Sequence, residues 1–93
     1  MIRDFKDKLT EELFRTSNVR GFPPDVNERA RRKLMAIHAA HVLSDLRVPP
    51  SNRLEALKGN REGQHSIRIN DQWRICFRWA NGDAFDVEVC DYH

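Results

Sequence analysis

At Val48-Pro49-Pro50 the period of the apolar residues changes, and that change constrains the fold more than any other feature of the chain. Before the triplet, apolar side chains recur at helical spacing; after it, they alternate. Proline lacks a backbone N–H and drives the residue before it out of the helical region, so a helix reaching this triplet has to stop. The halves on either side must be different kinds of element. This predicts an α+β fold in which two N-terminal helices pack on a mainly antiparallel β-sheet. A chain of 93 residues has room for one domain, 1–93, with a single modest core.

In the first half, Phe5, Leu9 and Leu13 recur every four residues and predict a short amphipathic helix from about Asp7 to Thr16. Asn18, Gly21, Pro23 and Pro24 interrupt it. Asp25 with Glu28 three residues on resembles a capping box and starts a second helix. Val26, Ala30, Leu34, Ile37, and then Ala40 or His41, fall on one face of that helix, which is expected to run to about Leu46. Arg29, Arg31, Arg32 and Lys33 lie mostly on its other faces; the cluster reads as a solvated face, with contact to nucleic acid as the alternative. His38 and His41 are three apart, a spacing open to metal ligation, but no carboxylate or cysteine with supporting spacing follows. They read as structural or surface residues, and neither a metal nor a cofactor is expected.

In the second half, His65, Ile67 and Ile69 alternate with Ser66 and Arg68. Trp73, Ile75, Phe77 and Trp79 alternate with Arg74, Cys76 and Arg78, and Phe85, Val87 and Val89 with Asp86, Glu88 and Cys90. Three strands joined at Asn70-Asp71-Gln72 and Ala80-Asn81-Gly82 make a meander. Cross-strand neighbours must share a face, which pairs Ile67 with Ile75 and Arg68 with Arg74. At the second turn a two-residue loop would set Phe77 against Asp86 and mix the faces. A three-residue loop with Gly82 left-handed, or an equivalent bulge, is expected instead, setting Phe77 against Phe85, Ile75 against Val87 and Arg74 against Glu88.

Two arginines opposite each other repel, by up to about 1 kcal/mol. Two arrangements relieve this: a Glu88–Arg74–Arg68 ladder, or a phosphate site that Arg78 and Gln64 extend. A planar guanidinium makes two parallel hydrogen bonds to phosphate oxygens. Charge distribution bears on the choice. Arg47, Arg53, Lys58, Arg61, Arg68, Arg74 and Arg78 face only Glu55, Glu62 and Asp71 over the same stretch, although the net charge is just +2. A localised basic zone suits a polyanion. The segment from Leu57 to His65, with Gly59 and Gly63, leads into this face, and Lys58 and Arg61 add charge to it. Cys76 and Cys90 lack metal-ligand spacing and read as free thiols packed in the sheet. No apolar run approaches a membrane span and the first residues lack a signal-peptide core, so a cytoplasmic protein is expected.

Several strings then carry a resemblance: Asn52-Arg53-Leu54-Glu55-Ala56-Leu57-Lys58-Gly59-Asn60-Arg61-Glu62-Gly63, Ser66-Ile67-Arg68, Gln72-Trp73-Arg74-Ile75 and Asp91-Tyr92-His93. Together they are similar to the HigB toxins, plasmid-maintenance killer proteins of the RelE-like superfamily, over nearly the whole chain. The resemblance implies a microbial-RNase-like fold and a type II toxin that cleaves mRNA in the ribosomal A site and so inhibits translation. It also implies neutralisation by a helix-turn-helix antitoxin of the HigA type, through which the toxin meets operator DNA only indirectly. Lys58 matches the lysine of the family's L-K-G string, Arg74 the arginine of W-R-I, and Asp91, Tyr92 and His93 the terminus. Where relatives can carry a histidine two residues before the L-K pair, this chain has Glu55.

Metal-free RNA cleavage needs a base for the 2′-hydroxyl, an acid for the departing 5′-oxygen, and fixed positive charge at the phosphorane. The expected assignment has Arg74 and Lys58 stabilising the phosphorane, and Arg68, Arg61, Arg53 and Arg78 binding RNA phosphates. His93 serves as acid, because imidazole titrates nearest neutral pH. Asp91 or Glu55 serves as base, and Tyr92 stacks on a base or orients the backbone. The rival is a non-catalytic module that blocks the ribosome by binding RNA.

Overall fold

The Asp7 carboxylate starts the first helix from just outside it, accepting the Thr10 amide at 2.7 Å in the computed structural model, which describes residues 1–16 and 19–91. A carboxylate in this place satisfies one of the amides that the first turn leaves open. Helix α1 then covers Lys8–Thr16, with Leu13 buried and Leu9 and Phe14 packed against the core. Thr10, on the same helix, is also buried; its hydroxyl accepts the Val89 amide at 3.0 Å and ties the helix to the sheet.

Helix α2 spans Pro24–Ala39 and buries Val26, Ala30, Leu34 and Ile37, as the periodicity predicts. Both of its ends differ from expectation. Pro23 precedes the first turn without a side-chain cap, and Pro24 stands where its missing N–H does no harm. The expected capping box is absent, because Glu28 instead pairs with Arg32 one turn on, at 2.7 Å. The helix also stops at Ala39 rather than Leu46. The Asp45 carboxylate accepts the amides of His41 at 2.9 Å and Val42 at 3.2 Å, the donors a continuing helix would have used. The chain turns instead into a short 3₁₀ segment, Leu43–Arg47. His41 therefore leaves the helix. His38 stays on it, stacked on Phe14 with its Nδ1 accepting the Ile2 amide at 3.1 Å, so the two histidines do not converge.

The sheet has four antiparallel strands in sequence order: β1 Glu55–Ala56, β2 His65–Arg68, β3 Trp73–Ala80 and β4 Asp83–Asp91. β1, two residues long, was not expected. Between β2 and β3 the register matches the sequence reading, with Ile67 opposite Ile75 and Arg68 opposite Arg74. Between β3 and β4 it does not. The turn is a two-residue one, Asn81-Gly82, both left-handed at φ 54° and 81°, a combination that suits the twist of a tight hairpin. Parity is restored farther along by a bulge at Asp86, φ 51°. Phe85 consequently stands opposite Arg78 and outside the core, Ala84 takes its place inside, and Arg74 faces Cys90 rather than Glu88.

Residues at the start of the chain hold the far side of β4. The amides of Arg3 and Lys6 donate to the carbonyls of Ala84 and Val87 at 2.8 and 2.9 Å, and Ile2 enters the core. Ile67, Ile75, Phe77, Val87 and Val89 then meet the apolar sides of both helices in one buried cluster. No helix among the described residues is long and apolar enough to cross a membrane.

Candidate active site on the outer face of the sheet

The helices cover one face of the sheet, so side chains of opposite parity emerge on the other. Glu55 of β1, Ser66 and Arg68 of β2, and Arg74, Cys76 and Arg78 of β3 all belong to this outer face. Glu55 lies opposite Ser66, and Ser66 lies beside Arg74. The Arg74 Nη1 donates to Ser66 Oγ at 2.7 Å and lies 2.9 Å from Glu55 Oε1. The Arg74 side chain is only 13% exposed against 46% for Glu55, so the guanidinium is seated while the carboxylate rim stays open to solvent. Seating of this kind leaves a cation oriented before substrate arrives, which is what stabilises developing charge most effectively.

The other arginines each have a partner too. Arg68 bonds the Asp71 carboxylate and donates from Nε to the Asn70 carbonyl at 3.1 Å. Repulsion between Arg68 and Arg74 is thus offset by Asp71 on one side and Glu55 on the other. The expected Glu88–Arg74–Arg68 ladder does not form, because the bulge carries Glu88 two places along, opposite Cys76. There it accepts Arg61 Nη1 at 2.7 Å, and this pairing raises the Arg61 pKa further above its ordinary value. The same Arg61 nitrogen donates to the buried Gln64 amide at 3.1 Å. Arg78 approaches Asp86 at 3.4 Å, with both side chains about half exposed.

A short loop closes over this face. The Leu57 amide donates to the Gln64 carbonyl at 2.9 Å, and a 3₁₀ turn, Gly59–Arg61, fills the interval. Lys58 is the exposed residue that opens the turn, two positions after β1. Gly63 has φ 90°, a backbone that any side chain would strain, and a methyl group there would also push Arg78 Nη1, 2.9 Å away, aside. Arg53 also has left-handed backbone, φ 47°, and projects as an exposed residue before β1. Asp91 ends β4 opposite Trp73 and accepts Gln72 Nε2 at 3.1 Å. Tyr92 and His93 lie outside the described residues.

Two features of the site were not visible in the sequence. Ser66, the anchor of Arg74, reads from sequence only as an outward-facing strand position; its complete burial is the signal, and burial is a tertiary property. The second feature is the cysteine pair. Cys76 and Cys90 are free thiols, as read, but their Sγ atoms lie 2.9 Å apart on this face. The contact splits them: the hydrogen bond between the two sulfurs makes Cys76 more acidic against the effect of burial, while the same contact and burial make Cys90 less acidic. On the opposite face, His65 stacks on Phe77 with ring centroids 6.1 Å apart, and burial lowers its pKa below 6.5.

Comparison with known proteins identifies the family and the fold. The family model described as "RelE-like toxin of type II toxin-antitoxin system HigB" matches residues 3–93. Toxin HigB-1 of Vibrio cholerae is 41% identical over 88 residues, covering 94% of this chain and 93% of its own. Endoribonuclease HigB of Proteus vulgaris is 38% identical over 93 residues, covering the whole of both chains. Among solved structures, the YoeB-YefM complex from Staphylococcus aureus contains a chain of the same fold, with a TM-score of 0.62, 21% identity and coverage of 100% of this chain and 95% of that one. The chain belongs to the RelE-like HigB toxins of type II toxin–antitoxin systems.

Proposed function

We propose that the outer face of the sheet is an endoribonuclease site that cuts mRNA in the ribosomal A site and so stops translation. The observation that carries this reading is Arg74, largely buried and held by Ser66 and Glu55 within the basic outer face. A phosphate bound on this face lies near an already oriented guanidinium, with Arg68 directly across the strand pair and exposed Lys58 on the covering loop.

Metal-free cleavage at this face needs a base, fixed positive charge and an acid. The Glu55 carboxylate takes the proton of the 2′-hydroxyl, whose oxygen attacks the adjacent phosphorus. Arg74 and Lys58 stabilise the phosphorane. The bond from phosphorus to the 5′-oxygen then breaks, and His93 as imidazolium gives that oxygen its proton. The products are a 2′,3′-cyclic phosphate and a free 5′-hydroxyl. Asp91 supports the charged form of His93, and Tyr92 stacks on a base of the codon. Arg61, Arg53 and Arg78 bind flanking phosphates, and no metal ion takes part. The partner implied by the family is an antitoxin, here of the HigA helix-turn-helix type, with operator DNA reached only through it. The place of action is the cytoplasm, where the ribosome supplies an oriented substrate to a chain whose net charge is too small for strong independent RNA capture.

Primer extension on mRNA held in purified ribosomes tests the proposal, comparing wild type with Arg74→Ala and His93→Ala. Cuts confined to A-site codons, absent without ribosomes and lost in both variants, are expected. Ribosome binding without cuts would make the protein a blocking module instead.

A further inference from the structure

Beside the arginine face, rather than on it, lies a cavity of about 660 Å³ between α2, the segment from Val48 to Asn52 and the β2–β3 turn. This volume is in the range of sites that hold a small ligand such as a nucleotide. Its two walls differ in chemistry. One is mainly cationic: Arg29, Arg32 and Lys33 stand at i, i+3 and i+4 on α2, and Arg68 enters from the end of β2, paired with Asp71, which also lines the cavity. The other is apolar, with Val48, 74% exposed, and Pro49 forming an open plate.

The cationic wall is held in place. Lys33 donates to the side-chain oxygen of Asn52, and Asn52, 1% exposed, is itself anchored by donating to the carbonyls of Leu46 at 3.1 Å and Val48 at 3.2 Å. Arg32 pairs with Glu28, but among the described residues neither Arg29 nor Lys33 forms an ion pair. Desolvation, and then the neighbouring Arg29, lower the Lys33 pKa, as expected where two cations crowd together without a carboxylate between them. Arg68 joins the cavity to the outer face: it lines the cavity, and it stands directly opposite Arg74 on the sheet. Directly opposed strand residues are only about 5 Å apart, so one RNA strand can engage both.

We propose that this cavity is a second RNA subsite, holding the nucleotide next to the scissile phosphate. Arg29 and Lys33 grip its phosphate, Arg68 bridges to the reacting one, and the base lies on Val48 and Pro49. An acidic peptide would satisfy the cations but would leave the apolar plate uncovered and gain nothing from continuity with Arg74. The subsite rests on the endoribonuclease reading of the outer face, which makes the order of the two phosphates meaningful.

The test uses a 2′-O-methyl RNA trinucleotide, which binds but cannot be cut, followed by amide NMR shifts of the full chain. Wild type, Arg29→Ala, Arg29→Ala/Lys33→Ala and Val48→Ser are compared, each checked for folding by its thermal transition. In wild type the shifts should cover both the cavity and the outer face. Arg29→Ala alone, on an exposed side chain, should weaken binding by several-fold. The double variant should bind about tenfold more weakly, keep shifts only on the outer face, and show a salt slope shallower by roughly 0.7 per lost phosphate contact. On programmed ribosomes the same variants should raise KM with little change in kcat. Shifts absent from the cavity in wild type, or unchanged affinity in Arg29→Ala, would overturn the subsite. So would poly-glutamate displacing the trinucleotide at lower concentration than RNA does. A wild-type protein that binds the trinucleotide in the cavity but never cuts ribosomal mRNA would overturn the enzyme reading alone. Normal cutting by variants with unchanged trinucleotide affinity would overturn the subsite alone. A raised KM on ribosomes with unchanged trinucleotide affinity would reassign the cavity to ribosomal RNA and overturn the mRNA subsite.

Discussion

Arg74 reaches across two strands to Glu55: its Nη1 lies 2.9 Å from Glu55 Oε1, with Ser66 Oγ on the intervening strand at 2.7 Å. The three residues come from β3, β2 and β1; Glu55 stands opposite Ser66, and Arg74 reaches both diagonally, since Cys76 is the β3 residue opposite Ser66. Both contacts converge on one guanidinium nitrogen and fix its orientation in the sheet.

Replacing Arg74 by Lys keeps the charge but loses the planar fork that two partners hold. Cleavage should fall about 10²-fold or more, the scale for losing one preorganised stabilising donor. Single-turnover cleavage on programmed ribosomes measures this. Activity within a few-fold of wild type would mean that any cation suffices at this place.

Glu55→Gln keeps the shape and an oxygen for Arg74 but cannot accept a proton at neutral pH. With Glu55 as the base, kcat should fall by roughly 10²–10⁴, and the fall in rate toward acid pH that a carboxylate base imposes should vanish. A variant that retained the wild-type pH profile would move the base role to Asp91.

Ser66→Ala removes the hydroxyl contact to Arg74 Nη1 without touching the carboxylate. The loss of one hydrogen bond to a charged group should cost roughly 1–2 kcal/mol of stability and lower kcat more than it raises KM, because Arg74 is then less well directed. Denaturant melts read the first effect and cleavage kinetics the second.

His65 gives a pH signature unrelated to catalysis. Burial lowers its folded pKa below 6.5, so the unfolded chain takes up a proton first as pH falls. Its contribution to stability is complete above 6.5 and is lost as pH drops through that value toward the folded pKa. His65→Phe keeps the stacking on Phe77 and should flatten this part of the stability profile, as measured by melting temperature against pH.

The cysteine pair makes an independent prediction. Cys76 is more acidic than an ordinary thiol chiefly because of its hydrogen bond with Cys90, whereas burial acts the other way. Cys90→Ala removes that partner and leaves the burial, so the Cys76 thiol should ionise at higher pH than in wild type. Ultraviolet thiolate absorbance during an alkaline titration follows it. A shift to lower pH would show that Arg61 and Arg74, not Cys90, control the thiol.

Much of this was legible in the residues alone. The helix faces, the change to strands after Pro50 and the pairing of Arg68 with Arg74 all follow from local periodicity, because a strand alternates and a helix repeats wherever the chain is placed. The strings around Lys58, Arg74 and Asp91 pointed to the family for the same reason, since they are read along the chain. What the sequence could not determine depends on partners far away along it. The bulge at Asp86 sits where the Asp4 side chain accepts its amide, 82 residues away in sequence, and that contact sets the β3–β4 register and sends Glu88 to Arg61 instead of Arg74. The end of α2 was decided by a competing cap from Asp45. β1 is too short to show a period, and it exists only because β2 offers it an edge. Periodicity is a property of neighbours in the chain, whereas register, caps and the seating of Arg74 are settled by neighbours in space.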